Sequence, residues 1–191
     1  MVAELHGSHG VRDARELAES LLRGLGSRLS HTASVARRAE ELSVTVPAAE
    51  RDVLVRAAWL HDIGYAEALA DTGFHPLDGA RHLDRLGWPP RISALVAHHS
   101  GARLVAGALG LADRVAAHPQ ETGPVADALT CADQTVDSRG HRVTVQDRLA
   151  DMLRRHGPDS PNARVHHLRA PLLIAAVERV EHRLSQKDSP Q

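Results

Sequence analysis

Aromatic side chains make up only 2% of this chain, and its 191 residues include one cysteine, Cys131, and one lysine, Lys187. Each scarcity excludes something. With so few rings, a core has to be filled by Leu, Val, Ala and Ile, which suits helices packed on helices. A single thiol forbids an intrachain disulfide framework and a zinc site built from cysteines. One lysine in a polar C-terminal stretch leaves no Walker lysine and no core Schiff base. Any phosphate clamp must therefore be made from arginine, of which there are 22. Charge of one sign is missing too. The net charge of −1 and a pI near 6.9 give no global field that recruits nucleic acid polymer or an anionic membrane. No apolar run approaches the roughly 20 residues that span a bilayer, and residues 1–20 are polar and charged, so a soluble cytoplasmic protein is expected.

What is present is helical periodicity. Ala14, Leu17, Ala18, Leu21 and Leu22 repeat at helical spacing and stop near Gly24 and Gly26. Residues 1–10 are expected to fray. A second helix is expected from about Ser30 to Val44, a third from Pro47 to Gly64, and a fourth opened by His75-Pro76 as N-cap and first residue. Pro89-Pro90 starts the next, residues 102–117 read as helical, and 118–124 are a loop. Helices over Val125–Val136, about 145–156 and 171–185 complete the chain. No strand-like alternation persists and no repeat is visible. The expected fold is all-α: one single-domain helical bundle in which residues 1–29 pack on a core of 30–140, followed by C-terminal helices and a polar tail in 141–191.

Against this pattern several polar residues stand out. His61-Asp62 closes the apolar run Val53–Leu60, with His61 on the stripe of Leu54 and Ala57. An imidazole beside a carboxylate is costly to bury unless something satisfies both, and a metal ion does so. His31 shares the inward face of Val35. His99 follows Ile92, Leu95 and Val96 on one stripe, with His98 on its flank. Asp133 shares a stripe with Ala126, Leu129 and Val136, whereas Asp127 falls off it. The pattern reads as one metal centre assembled from several helices. His75 is read either as a helix cap or as a ligand, and His98 either as a ligand or as facing water. Tyr65, Arg103 and Asp137 are candidates for touching substrate. His82, i+7 from His75, is a reserve ligand; His118, His141, His156, His166, His167 and His182 read as solvated, and Trp59 and Trp88 as core anchors.

His31, then His61-Asp62-Ile63-Gly64, then Asp133 resembles the H…HD…D signature of the HD-domain metal-dependent phosphohydrolases, over roughly Ser30 to Asp137. The resemblance implies an HD-type helical bundle whose first metal is held by His31, His61, Asp62 and Asp133, with catalysis resting on Asp62 and His61. His75-Pro76-Leu77-Asp78-Gly79-Ala80 and His98-His99 are similar to segments of dinuclear branches, including the HD-GYP phosphodiesterases. That similarity implies a second ion on His75, His98 and His99, with Asp62 bridging. Tyr65 stands where that branch often has Lys, Ser100 where an acidic residue is usual, and no GYP follows, which argues against a cyclic dinucleotide substrate. Imidazole and carboxylate donors suit Fe, Mn, Ni, Co or Zn. The implied activity is hydrolysis of a small phosphorylated molecule by metal-activated water. A di-iron oxygenase of the same superfamily and a non-catalytic metal- or ligand-binding module are the alternatives. HExxH, GxSxG and a Cys-His pairing are all lacking.

Overall fold

The computed structural model describes residues 9–188; of the fraying expected for residues 1–10, positions 1–8 lie outside the described residues, whereas His9 packs on Trp88 and accepts from Arg56, and Gly10 donates to Asp13, so these two are held. Helices α1 (Val11–Leu22), α2 (Gly26–Leu42) and α3 (Arg51–Leu60) are followed by α4 (His75–Arg85), α5 (Pro90–His98), α6 (Ala102–Ala108) and α7 (Ala112–Ala116). Then come α8 (Pro124–Gln134), α9 (Val145–His156), α10 (Pro161–Arg164) and α11 (His166–Asp188). Among the described residues there is no strand, only an isolated bridge between Val136 and Arg142. The fold is all-α. No described helix is long and apolar enough to cross a membrane.

The core sits between α2, α3 and α8. Ala36 and Ala39 of α2, Ala57 and Ala58 of α3, and Ala128 and Ala132 of α8 are all fully buried. Methyl-sized residues at these faces let the helix axes approach, and Leu42, Leu54 and Leu129 fill what remains. Each such leucine contributes about 1.5–3 kcal/mol relative to exposure. Trp59 and Trp88 are buried anchors in the same core. On the outer side α11 covers α8, and Asp127, off the apolar stripe, pins it there by accepting from Arg179 and Arg183 at 2.6–3.0 Å.

Several boundaries differ from the sequence expectation, and each difference bears on function. Helix α2 starts at Gly26 rather than Ser30, which brings Arg28 onto the helix one turn before His31. Helix α3 ends at Leu60, so His61 and Asp62 form the turn itself, followed by a 3-10 turn over Ile63–Tyr65. His75 is the first residue of α4 rather than its cap. Phe74 holds the cap position and no side chain caps the helix. The expected helix over 102–117 is broken between α6 and α7, where Gly110 takes φ 71°. Helix α11 begins at His166 and runs on through Pro171.

Candidate metal centre

His61 is wholly buried at the end of α3, and its Nδ1 donates to the carbonyl of Ala58 at 2.7 Å. His31, on α2, donates Nδ1 to the carbonyl of Asp137 at 2.9 Å. His99, just past α5, donates Nδ1 to the carbonyl of Val96 at 2.7 Å. A carbonyl oxygen only accepts, so all three rings carry their proton on Nδ1 and present Nε2 as a bare lone pair. Those lone pairs converge on carboxylates. His31 Nε2 lies 3.0 Å from Asp133 Oδ1, and His61 Nε2 lies 3.3 Å from Asp62 Oδ2 and 3.9 Å from Asp133 Oδ1. His61 Nε2 is buried with no hydrogen-bond partner.

On the other side of Asp62, Oδ1 faces His75 Nε2 at 3.3 Å and His99 Nε2 at 3.8 Å, and the two imidazole nitrogens are 3.4 Å apart. The lone pairs of His31, His61 and His99 face carboxylate oxygens, and such pairs repel unless a cation lies between them. Ligand atoms about 2.1 Å from one ion stand roughly 3.0–3.4 Å apart, close to these separations. Two groups therefore could each hold an ion: His31, His61 and Asp133, and Asp62, His75 and His99, with ligand atoms within 4.8 Å of one another in each. The N/O donor set and the orphaned Nε2 both fit a divalent transition metal.

The electrostatics agree. Burial alone would raise the Asp62 carboxyl, but His61, His75 and Arg28 hold it well below the usual carboxylate range. Burial likewise opposes Asp133, yet His31 close beside it and the charges of His61 and Arg148 hold it well down. Burial, with His61 and His75 beside it, pushes His99 down to about 3. His75 is lowered chiefly by burial, against the pull of Asp62. His61 moves the other way: burial disfavours its charge, but Asp62 and Asp133 overcome that. The carboxylates that would draw a proton to its Nε2 would also draw a metal cation.

Three local devices position these groups. Gly64 packs against the start of α4 so closely that a Cβ there would sit 2.0 Å from the His75 carbonyl oxygen and 2.7 Å from the Gly79 nitrogen. Ser100 adopts the left-handed conformation, φ 50° and ψ 39°, which turns the chain sharply after His99. A serine there costs about 1–2 kcal/mol that glycine would not, but its hydroxyl donates to Asp133 Oδ2 at 2.5 Å. Gln134 Nε2 donates to the same oxygen at 2.8 Å, which leaves Oδ1 for His31 and His61.

A cleft of about 320 Å³ opens onto this centre, lined among others by Asp62, Tyr65, His75, His99 and Asp133. Tyr65 lies in it, its ring stacked on His75 with centroids 3.9 Å apart and the Arg28 guanidinium 3.9 Å over its other face. Desolvation and the nearby Asp62 push the Tyr65 hydroxyl up to about 12, so it remains a donor at neutral pH. Arg28 also donates to Asp62 Oδ2 at 2.6 Å.

The structure does not bring every candidate here. His98 belongs to neither group. It sits on the flank of α5 and turns away from Asp62, donating Nε2 to the carbonyl of His118 at 2.8 Å. Arg103 is exposed on α6 and reaches Gln120, and it does not line the cleft. The Asp137 carboxylate is committed to its own turn, accepting from the backbone of Arg139 and His141 at 2.8 Å each; only its carbonyl serves the site, through His31. His118 is buried, not solvated, and is paired with Asp84 at 2.8 Å.

Sequence reasoning gave no site role to Arg28, Arg148, Arg169, Ser100 and Gln134. Arg148 carried a signal, since it shares the buried stripe of Val145 and Met152 on α9. Arg28 lies one turn before His31 on the same helix. The model of the HD domain family matches residues 28–152, more than half of the chain. No curated protein and no solved structure matches it significantly.

Proposed function

The chain belongs to the HD-domain superfamily of metal-dependent phosphohydrolases, and from that premise we propose that it hydrolyses a phosphate ester of a nucleotide or other small phosphorylated metabolite. The supporting observation is the set of three buried imidazoles, each fixed through Nδ1 to a carbonyl and each presenting Nε2 to the same carboxylate cluster. The proposal includes two ions, one on His31, His61 and Asp133 and one on His75 and His99, with Asp62 offering one oxygen to each group. Such a metal, when bound, supplies Lewis acidity and brings the pKa of water toward neutrality.

The chain's own residues do the rest. Asp62 and Asp133 are fixed and ionised, and need no rearrangement to act as ligands. Tyr65 holds the His75 ring by stacking, and its protonated hydroxyl is available to donate to substrate. Arg28, already in the cleft, offers a planar fork of donors suited to a phosphoryl group.

The test is phosphate release from a panel of nucleoside monophosphates and other phosphomonoesters by protein loaded with Mn²⁺, Ni²⁺ or Fe²⁺. The expected result is release that requires metal and is lost in Asp62→Asn. Oxygen uptake without phosphate release would overturn the reading in favour of an oxygenase. Tight metal uptake with neither activity would leave a binding module.

A further inference from the structure

The cleft carries more positive charge than its metal ligands use. Two carboxylates, Asp62 and Asp133, line it, and so do four guanidinium groups, Arg28, Arg148, Arg155 and Arg169. Arg28 is matched by Asp62 at 2.6 Å, and Arg148 approaches Asp133 at 3.6 Å. Arg155 and Arg169 form no ion pair with a carboxylate of the lining, and Asp133 acts on Arg169 only from beyond ion-pair distance. Arg155 pairs outside it with Asp151, an aspartate that also serves Arg154. Among the described residues Arg169 has no carboxylate partner; its Nε donates to the Ser100 carbonyl at 2.8 Å and its Nη1 to Asn162 Oδ1 at 3.3 Å. Arg148 is nine-tenths buried; its Nη2 also lies 3.5 Å from His31 Nε2 and its Nη1 4.0 Å from Asp151 Oδ2, while Nε and Nη1 make no hydrogen bond. A buried guanidinium with unused donors is costly unless an anion completes it.

These groups lie on one part of the chain. Arg148 and Arg155 come from α9 and Arg169 from α11, and both Arg155 and Arg169 fall beyond residue 152, where the family match ends. Metal ions at the centre would balance the charge of the phosphoryl group being cleaved. The surplus guanidinium groups are left for a different anion.

We propose that Arg148, Arg155 and Arg169 form a phosphate subsite contributed by the C-terminal helices, so that the substrate carries a second phosphate beyond the one hydrolysed. The geometry behind this is the shared cleft, the anchoring of Arg169 on Ser100 next to His99, and the Arg148 Nε and Nη1 donors that make no hydrogen bond. The class of substrate is a diphosphate, polyphosphate or bisphosphate small enough for about 320 Å³. This rests on the phosphohydrolase reading of the same cleft, but its test does not depend on turnover.

The experiment is calorimetric titration of the full chain, kept metal-free with chelator, using inorganic pyrophosphate as probe. Wild-type protein is expected to bind it, and Arg155→Gln/Arg169→Gln to bind at least tenfold more weakly. Arg12→Gln, an exposed change on α1, should bind as wild type. Arg155→Gln alone, at an outer position, gives a partial loss and guards against misfolding of the double variant, whose melting temperature is measured in parallel. Equal pyrophosphate affinity in wild type and both cleft variants overturns the subsite, as does failure of the wild type to bind. Absence of phosphate release by metal-loaded wild type, with arginine-dependent pyrophosphate binding intact, would remove the hydrolase reading and retain the anion site. With active enzyme, the double variant should raise KM for a two-phosphate substrate more than for a monophosphate.

Discussion

Gly64→Ala isolates how the backbone sets the metal centre. Gly64 has no positive φ, so its lack of a side chain answers to space, not to conformation. An added Cβ would lie 2.0 Å from the His75 carbonyl oxygen and 2.7 Å from the Gly79 nitrogen, whereas ordinary Cβ contacts begin near 3.0 Å. Both obstacles are main-chain atoms, so no rotamer change relieves them, and the turn must part from α4 by about 1 Å. Overpacking in a core costs about 1–3 kcal/mol when side chains can yield; with backbone on both sides the upper end, about 3 kcal/mol, is expected. For a chain of this size that lowers the melting temperature by about 6–12 °C. The same 1 Å carries His75 away from Asp62, and a misplacement of that size costs on the order of 10²-fold in activity. The assays are thermal unfolding, metal content and phosphate release on one preparation. Gly26→Ala is the control: nothing lies within 4 Å of its added Cβ, and it should be neutral or stabilising by about 0.4–1 kcal/mol. Gly64→Ala protein that melts within about 2 °C of wild type and retains full metal content would refute the reasoning.

Asp62→Asn should lower metal affinity by more than the about 10–100-fold typical of losing a group one bond removed from an ion, whereas His98→Ala should leave metal content unchanged; elemental analysis of both decides whether His98 has been rightly set aside. Asp127→Ala strands Arg179 and Arg183 on α11. Since Arg179 is half-exposed, the loss is expected to be about 1–3 kcal/mol, read by denaturant titration, with metal content intact. Burial raises the Cys131 thiol, so the native protein should resist a thiol reagent at pH 8 and react fully once unfolded. The same shift makes unfolding easier as pH climbs above the ordinary thiol value, because only the unfolded chain then releases the proton freely. Rapid native-state modification would show that α8 opens more readily than its packing implies.

The helical stripes carried most of the site. His31, His61, His99 and Asp133 each stood out because a polar residue occupied a position its periodicity assigned to the core, and the structure brings all four inward. The stripe also separated His99 from His98, although dipeptide similarity treated them alike. Boundaries were harder. A turn such as His61–Tyr65 continues the apolar pattern of the helix before it, so periodicity alone could not see α3 stop. Asp137 and Arg103 were guesses from proximity in sequence, which says nothing about where a side chain points once the chain turns. The cleft arginines were hidden by abundance: in a chain with 22 arginines and one lysine, an arginine on a helix is unremarkable until a distant helix meets it. Only Arg148 broke a local pattern.

The two ligand groups differ in how much chain each must close. His75 and His99 are 24 residues apart, whereas His31 and Asp133 are separated by 102. Closing the longer loop costs about 1.3 kcal/mol more in chain entropy, and it waits for α8 to dock on α2. The Asp62, His75 and His99 group needs only α3, α4, α5 and the turn after α3: α4 packs on α5 and on that turn, and α5 packs on α3. Folding therefore completes this half of the centre first, and a partial opening that releases α8 dismantles the other half while leaving it standing. The lifetime of the whole centre is then set by the C-terminal third of the chain: hydrogen exchange should report α8 amides opening before those of α4 and α5, although the histidine-rich half of the site lies elsewhere.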